Sequence, residues 1–257
     1  MFNENYSDNP SVSVLVSTYG SLPLVHLQLE ARRRLYPSLP CLVVDDASDV
    51  DLRGLCERYG ASFLTSASRL GHQKGDIQAL LSGLSWATFD AQGGQKSADI
   101  LVKISRRWIW RRDFLPSLLD VVRSTQHTCF SNICRMYGFG FRSECFAVGV
   151  RAWQAERKAL EDLLPLYPSG RLVEADVHNV ARLVHDRHCC LRTEEHEMSF
   201  PRLYEVSSYA PWSALGESKL ISTEWRLWYE TESLSCYCRL ALSWGLREYV
   251  PADFAPS

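Results

Sequence analysis

Four short apolar runs alternate with segments of helical periodicity between residues 12 and 122, and this alternation restricts the fold more than any other feature. The runs are VSVLVS from Val12, CLVV from Cys41, ASFL from Ala61 and ILV from Ile100. The first, second and fourth have the length and content of buried strands, and the third is predicted to be a strand as well. Alternation of this kind predicts an α/β fold with a mixed, mostly parallel sheet flanked by helices.

The segments between these runs carry the helical spacing. Ile77, Leu80, Leu81 and Leu84 lie at i, i+3, i+4 and i+7, which predicts a helix that begins near Asp76. Other helices are predicted at 22–35, 52–59 and 114–122. After residue 125 the pattern changes to predicted strands at 129–134 and 142–150 and predicted helices at 155–164 and 174–184. An aromatic-rich, helical C-terminal part follows.

Composition limits the classes of protein that this chain can belong to. It has 257 residues and a net charge of −2, so an anion site has to be local, and a nucleic-acid-binding protein with a broad basic face is not expected. Nine cysteines without a CxxC pair indicate reduced thiols and hence a cytoplasmic protein. No signal peptide and no apolar run of membrane-spanning length is found, which leaves association with the inner face of a membrane as an alternative location.

Polar residues follow three of the predicted strands. They are Thr18–Gly20 after the first, Asp45–Asp46 after the second and Lys103–Arg106 after the fourth. Ligands of parallel α/β sheets bind outside the carboxyl ends of the strands. If these strands lie side by side, the three groups border one crevice, and the cations after the fourth strand can hold an anion there.

The ordered set VSVLVSTYG, CLVVDDASD, RLGHQKGDIQALLSGLSWA and a fourth strand with a polar end resembles the nucleotide-sugar half of GT-A glycosyltransferases, closest to the family 2 type. The resemblance covers about residues 12–115. It implies a Rossmann-like GT-A domain with a nucleotide-sugar half at 1–125 and an acceptor half at 126–257. It places Thr18 and Tyr19 near the base and ribose, and Asp45 or Asp46 in hydrogen bonds to them. It also places the loop 69–76 beside the nucleotide, with the candidates Arg69, His72, Lys74 and Asp76.

The sequence departs from that family at the end of the fourth strand. The family's Asp-x-Asp, which holds a divalent metal against the diphosphate, is replaced by Lys103-Ile104-Ser105, with Arg106 following. Fixed cations can also neutralise a leaving diphosphate. We therefore expect metal-independent transfer without a cofactor, in which Lys103 and Arg106 act beside Ser105. The alternatives are an inactive homologue, or a Mg²⁺ or Mn²⁺ site built from Asp99 and a histidine, which would be His178, His185 or His188.

An inverting transfer needs a base for the acceptor hydroxyl, and the family takes it from a helix start in the second half. Asp176 is the first candidate and Glu174 the second, although the helix dipole would favour acids there in any case. Trp108, Trp110 and Phe139 could stack against a glycan or lipid-linked acceptor, in a setting such as polysaccharide biosynthesis.

Other functions remain compatible with the same residues. The run Arg106–Arg112 could bind nucleic acid or another anion, or could be an amphipathic edge strand. A GT-A-like nucleotidyltransferase would need a glycine- and lysine-rich loop after the first strand, and STYGSLP has one glycine and no cation. Asp45 and Asp46 could also serve only as turn residues.

Overall fold

The computed structural model describes residues 9–88, 98–106, 108–110, 115–125, 129–131, 143, 145–167, 173–188, 207–209, 238 and 241–250. The strands are β1 Val12–Thr18, β2 Cys41–Asp45, β3 Ser62–Thr65, β4 Ile100–Ser105, β5 Trp108–Trp110, β6 Cys129–Ser131, β7 Cys145–Gly149 and β8 Ser207–Tyr209. The helices are α1 Leu22–Leu35, α2 Arg53–Arg58, α3 His72–Thr88, α4 Leu115–Thr125, α5 Val150–Ala155, α6 Arg157–Glu161 and α7 Val173–His188. Short 3₁₀ turns lie at Leu164–Leu166 and Arg247–Tyr249.

Six strands form one sheet in the order β3-β2-β1-β4-β7-β6. The pairs β3–β2, β2–β1 and β1–β4 are parallel, whereas β7 runs antiparallel to both β4 and β6. The predicted α/β fold with a mixed, mostly parallel sheet flanked by helices is therefore confirmed. Strands β5 and β8 pair separately as a two-stranded antiparallel sheet.

The two faces of the sheet are covered by different helices, which explains why every residue of β1 is buried. Val14 and Val16 of β1 pack in the core beneath α1, α2 and α4. Leu15, between them, points to the opposite face and packs with α3, α5 and α7. Helix α1 is covered in turn by Ala241 and Leu246 from the C-terminal part.

Several boundaries differ from those predicted, for local reasons. Helix α3 begins at His72 rather than near Asp76, because Gly71 adopts a left-handed conformation (φ 86°) and its carbonyl accepts the first helical bond from the Gly75 amide at 2.7 Å. The predicted helix at 155–164 is wrong as a single element, since α5 ends at Ala155 and α6 begins at Arg157.

Two further predictions are limited by what is described. The predicted strand at 142–150 is shorter, at Cys145–Gly149. Of the aromatic-rich C-terminal part, only 207–209, 238 and 241–250 are among the described residues. Within the described part of the chain, no helix has both the length and the apolar character needed to cross a membrane.

Candidate functional site

The strand order reverses at β1, and a reversal of this kind is expected to leave a crevice at the carboxyl ends of the flanking strands, here β1 and β4. From β1 the chain passes to β2 on one side and later to β4 on the other side, with Ser17 opposite Ser105 in the register. Such a switch point is where ligands bind in open α/β sheets. Strand β1 lies between β4, which carries Lys103, and β2, which ends at Asp45.

Asp45 holds the turn after β1 in place. Its buried carboxylate accepts hydrogen bonds from the Gly20 amide at 2.9 Å and from the Ser48 amide at 2.7 Å. Gly20 and Ser21 both have left-handed backbones, with φ of 66° and 65°. The Thr18 hydroxyl donates to the Gly20 carbonyl at 2.7 Å. The contacts of Asp45 therefore shape the wall of the crevice, because its oxygens bind the chain's own amides.

Asp46 holds the loop that precedes α3. Its carboxylate accepts hydrogen bonds from the Leu70 and Gly71 amides, both at 2.8 Å. The side chain is also buried. Gly75 lies so close that an added Cβ would be 2.9 Å from the Asp46 carboxylate carbon. Asp46 thus anchors the second wall of the crevice, as Asp45 anchors the first.

An aromatic and cationic rim lies above these turns. The exposed ring of Tyr19 has the Arg69 guanidinium 4.0 Å from its centroid. Arg106, which is partly exposed, donates a hydrogen bond to the Tyr19 carbonyl. The Gln28 amide supports the same strand end by donating to the Ser105 carbonyl at 2.6 Å. We call the set Tyr19, Arg69 and Arg106 the cationic rim, and it combines a stacking surface with two guanidinium groups that can clasp phosphate.

Lys103 lies below the rim and is fully buried, with 1% of its side chain exposed. Its Nζ donates to Asp76 Oδ1 at 2.5 Å and to the Ser143 carbonyl at 2.6 Å, and it lies 5.6 Å from the Phe146 ring centroid. The Ser17 hydroxyl donates to the same Asp76 oxygen at 3.0 Å. Lys103 is therefore a paired interior charge rather than a cation open to the crevice.

Ser143 connects this buried pair to helix α7. Its carbonyl accepts from Lys103, and its hydroxyl donates to Glu174 Oε1 at 3.0 Å. Glu174 is half-buried in the first turn of α7. Asp176 lies two residues further along α7. It is 4% exposed and accepts a hydrogen bond from the Tyr167 hydroxyl at 2.6 Å. The structure thus joins Glu174, but not Asp176, to the Lys103 cluster through described contacts.

The remaining candidates lie at varied positions. His72 is exposed and Lys74 half-buried in the first turn of α3, next to the loop held by Asp46. Trp108 and Trp110 belong to β5, with only their backbone described. Phe139 lies outside the described residues.

The residues of the alternative metal set have other contacts in the described part of the chain. This residue lies at the amino end of β4, about 13 Å of extended chain from Lys103. Its carboxylate accepts from the Ser11 amide at 2.8 Å and the Ser11 hydroxyl at 3.0 Å. His188 lies 3.0 Å from Glu156, and burial and Arg182 lower the pKa of His178. Asp99 is therefore engaged with Ser11 at the end of β4 that lies away from Lys103.

A cavity of about 290 Å³ lies beside β3 on the α3 face of the sheet. It is lined by Val44, Leu64, Thr65, Ser66, Ala67, Ser68, Leu70, Gln78 and Ser82. None of these side chains is charged, so the cavity has no group that could neutralise a phosphate. The charged crevice between β1 and β4 is therefore the better candidate site, although it is the less enclosed feature.

Sequence reasoning missed three supporting residues. Ser17 and Gln28 lie within regular elements that a pattern assigns to the core, although each is polar at a buried position. A polar residue in the last positions of a buried strand was a usable signal for Ser17. Ser143 carried no signal, because its role depends on a carbonyl and a hydroxyl that point to two different elements.

Comparisons with known proteins give distant structural likenesses. No family model matches the chain, and no curated protein matches its sequence. The glycosyltransferase GlyE of Streptococcus pneumoniae aligns with a TM-score of 0.45 at 14% identity over 70% of this chain, which spans 45% of GlyE. A cytidylyltransferase of Leptospira borgpetersenii aligns with a TM-score of 0.42 at 14% identity, over 76% of this chain and 81% of that one. Glucosyl-3-phosphoglycerate synthase of Mycobacterium tuberculosis, in complex with phosphoglyceric acid, aligns with a TM-score of 0.40 at 13% identity, over 56% and 58%.

Proposed function

We propose that the protein is a hexosyltransferase-like glycosyltransferase that moves a sugar from a nucleotide diphosphate sugar to a glycan or lipid-linked acceptor. The observation that carries the proposal is the cationic rim at the switch point, directly above a buried lysine that connects to two carboxylates. A nucleotide diphosphate sugar has a flat base, a dianionic centre and a polyhydroxylated end. The rim offers stacking and guanidinium groups, and the carboxylates offer hydrogen-bond acceptors.

In this proposal Arg106 makes the main contact with the diphosphate. It is partly exposed at the end of β4, whereas Lys103 has two protein acceptors and almost no exposed surface. Lys103 then contributes by holding Asp76 and Ser143 in place. Tyr19 and Arg69 contact the base, with Thr18, His72 and Lys74 near the ribose and phosphates. Neutralisation of the leaving diphosphate by Arg106, with Lys103 acting only through the residues it holds, would make the transfer metal-independent.

Glu174 is the better placed of the two candidate bases. Its half-buried carboxylate is oriented by Ser143, whereas Asp176 is covered and already accepts from the Tyr167 hydroxyl. In an inverting transfer, Glu174 would take the proton of the acceptor hydroxyl as that oxygen attacks the anomeric carbon. The nucleoside diphosphate then leaves on the opposite face with its bonding electrons. The half at 126–257, which includes Phe139, would hold the acceptor together with Trp108 and Trp110.

Binding of nucleotides tests this function directly. We expect UDP-, GDP- or dTDP-linked sugars to raise the melting temperature by about 5 °C or more at saturating concentration, since a ligand at 100 times its Kd adds about 2.7 kcal/mol of stability. The same rise is expected with EDTA and with Mg²⁺ or Mn²⁺. Transfer of the sugar to water or to an added glycan, detected as released nucleoside diphosphate, then tests the chemistry.

A matched pair of arginine variants assigns the binding to the switch point. Arg106→Ala should remove most of the ligand-induced rise, because a guanidinium–phosphate contact is lost. Arg151→Ala should leave it unchanged, because Arg151 is exposed on α5 at the opposite end of the sheet. No rise with any nucleotide sugar would refute the proposal. A rise with nucleoside triphosphates alone would indicate a nucleotidyltransferase instead.

A further inference from the structure

Asp76 has a geometry that the ion pair with Lys103 does not explain by itself. One oxygen, Oδ1, receives both the Lys103 ammonium at 2.5 Å and the Ser17 hydroxyl at 3.0 Å. The described contacts of the residue all involve this oxygen. About 12% of the side chain is exposed, in contrast to 1% for Lys103. The pair is therefore buried on the lysine side and open on the carboxylate side.

Ser17 connects Asp76 to the residues at the switch point. Ser17 precedes the turn that carries Tyr19, and its carbonyl accepts the Arg106 amide at 2.9 Å. Ser17 thus contacts Asp76 through its hydroxyl and the backbone of Arg106 through its carbonyl. Ser17 therefore connects Asp76, which carries a carboxylate, to Arg106, which carries a guanidinium, at the switch point.

These two groups select opposite chemistries. A carboxylate repels phosphate and accepts hydrogen bonds from hydroxyl groups. A guanidinium attracts phosphate. A ligand that satisfies both needs an anionic centre next to a neutral, hydroxyl-rich part. A nucleoside diphosphate alone carries hydroxyl groups only on its ribose, next to the base, whereas its sugar conjugate also carries them on the far side of the diphosphate.

We propose that Asp76 is the specificity-determining residue for the sugar of the donor, and that its open oxygen accepts hydrogen bonds from hydroxyl groups of the transferred sugar. This inference rests on the proposed function, because it identifies the part of the same site that reads the sugar. Lys103 and Ser17 are positioning residues in this account, since they hold Asp76 and do not touch the ligand. The arrangement also explains why the strand end carries a lysine, which brings the carboxylate of α3 to the crevice.

The test compares each nucleoside diphosphate with its sugar conjugate, using UDP with UDP-glucose, GDP with GDP-mannose and dTDP with dTDP-glucose. In the wild-type protein we expect one conjugate to bind more tightly than its diphosphate. In Asp76→Asn the affinity for the diphosphate should stay the same or rise, because a negative charge is removed, while the affinity for the conjugate should fall roughly 10-fold or more, as for the loss of hydrogen bonds to a charged group. Isothermal titration calorimetry measures both constants.

Two controls separate recognition from folding. Asp76→Asn leaves Lys103 buried without its ion pair, so the double variant Asp76→Asn/Lys103→Met supplies a neutral interior of similar volume. The double variant should be more stable than Asp76→Asn. It should still lack the sugar-dependent gain, which is the tighter binding of the conjugate relative to its diphosphate. Asp99→Asn changes a carboxylate at the other end of β4 and should keep that gain.

The outcomes distinguish this inference from the proposed function. Retention of the full sugar-dependent gain in Asp76→Asn would overturn the role of Asp76 while leaving the glycosyltransferase proposal intact. An equal loss for diphosphate and conjugate would also overturn it, because the residue would then act on the whole site. A wild-type protein that binds none of the six compounds would refute the proposed function itself.

Discussion

Lys103 shows at the scale of one residue how burial changes the meaning of a charge. The sequence places a lysine at the end of an apolar strand, where it could reach solvent or a phosphate. In the structure its side chain lies on the α3 face of the sheet, where the ammonium donates hydrogen bonds to Asp76 and to the Ser143 carbonyl. Burying an ammonium is costly unless it is paired and hydrogen-bonded, and here both conditions hold.

Replacement of this lysine should be strongly destabilising. Lys103→Met removes the partner of Asp76 and leaves the Ser143 carbonyl without that donor, so we expect the free energy of unfolding to fall by about 3–5 kcal/mol. Denaturant titration measures this loss. Lys158→Met is the matched control, because the Lys158–Asp162 pair is exposed on α6 and its loss should have little effect. Similar losses in both variants would show that the buried pair has no special weight.

At the scale of an element, the start of α3 depends on its fit against Asp46. The carboxylate binds the amides of the loop, and the helix passes it at Gly75, where a side chain would collide. Helix α2, in contrast, contains a glycine with space for a side chain. An added Cβ at Gly54 would meet no atom within 4 Å.

The two helical glycines should therefore respond in opposite directions to alanine. Gly75→Ala should lower the free energy of unfolding by about 1–3 kcal/mol, because the collision with Asp46 outweighs the gain in helix propensity. Gly54→Ala should raise it by about 0.5–1 kcal/mol through propensity alone. Thermal and denaturant unfolding measure both. Stabilisation by Gly75→Ala would show that the Asp46 carboxylate can move without cost.

At the scale of the whole molecule, the sequence predicts the elements well and their side-chain contacts less well. Strands β1, β2 and β4 follow from apolar runs, because burial on both faces demands continuous apolar sequence. The rim was anticipated in part, since ligands collect at strand ends. The pairing of β4 with β7 and the bridge that Ser143 makes between Lys103 and Glu174 were not predicted. Both depend on contacts between residues far apart in the sequence.

A second long-range network connects α1 to the C-terminal part. The His26 ring lies between the hydroxyls of Tyr59, 2.7 Å from Nε2, and Tyr249, 2.8 Å from Nδ1. The Tyr59 hydroxyl donates to Glu30 at 2.9 Å. Its oxygen therefore accepts from His26 Nε2–H, and Nδ1 accepts from the Tyr249 hydroxyl. Segments about 220 residues apart thus share one chain of hydrogen bonds.

This network should make the protein sensitive to acid through Glu30. Burial acts to raise the pKa of Glu30, but hydrogen bonds from Arg33, Tyr59 and Arg34 outweigh it and hold the pKa at about 2, below the ordinary 4.5. The unfolded chain therefore takes up the proton first. The stabilisation is complete above pH 4.5 and is lost as the pH falls toward 2. Because Arg33 and Arg34 are largely exposed, we expect a loss of about 1–3 kcal/mol.

Denaturant unfolding of the wild-type protein and Glu30→Gln between pH 7 and pH 2 tests this origin of acid sensitivity. The wild type should be the more stable at pH 7, and its advantage should shrink below pH 4.5, because the variant has no proton to take up at this position. Glu57→Gln, an exposed glutamate on α2, should keep a constant difference from the wild type. Burial and Arg58 lower the pKa of His26, so its contribution also declines as the pH falls below 6.5, and it declines more in Glu30→Gln because Glu30 acts to raise that pKa. A wild-type advantage that does not change with pH would show that Glu30 stabilises α1 by packing rather than by its charge.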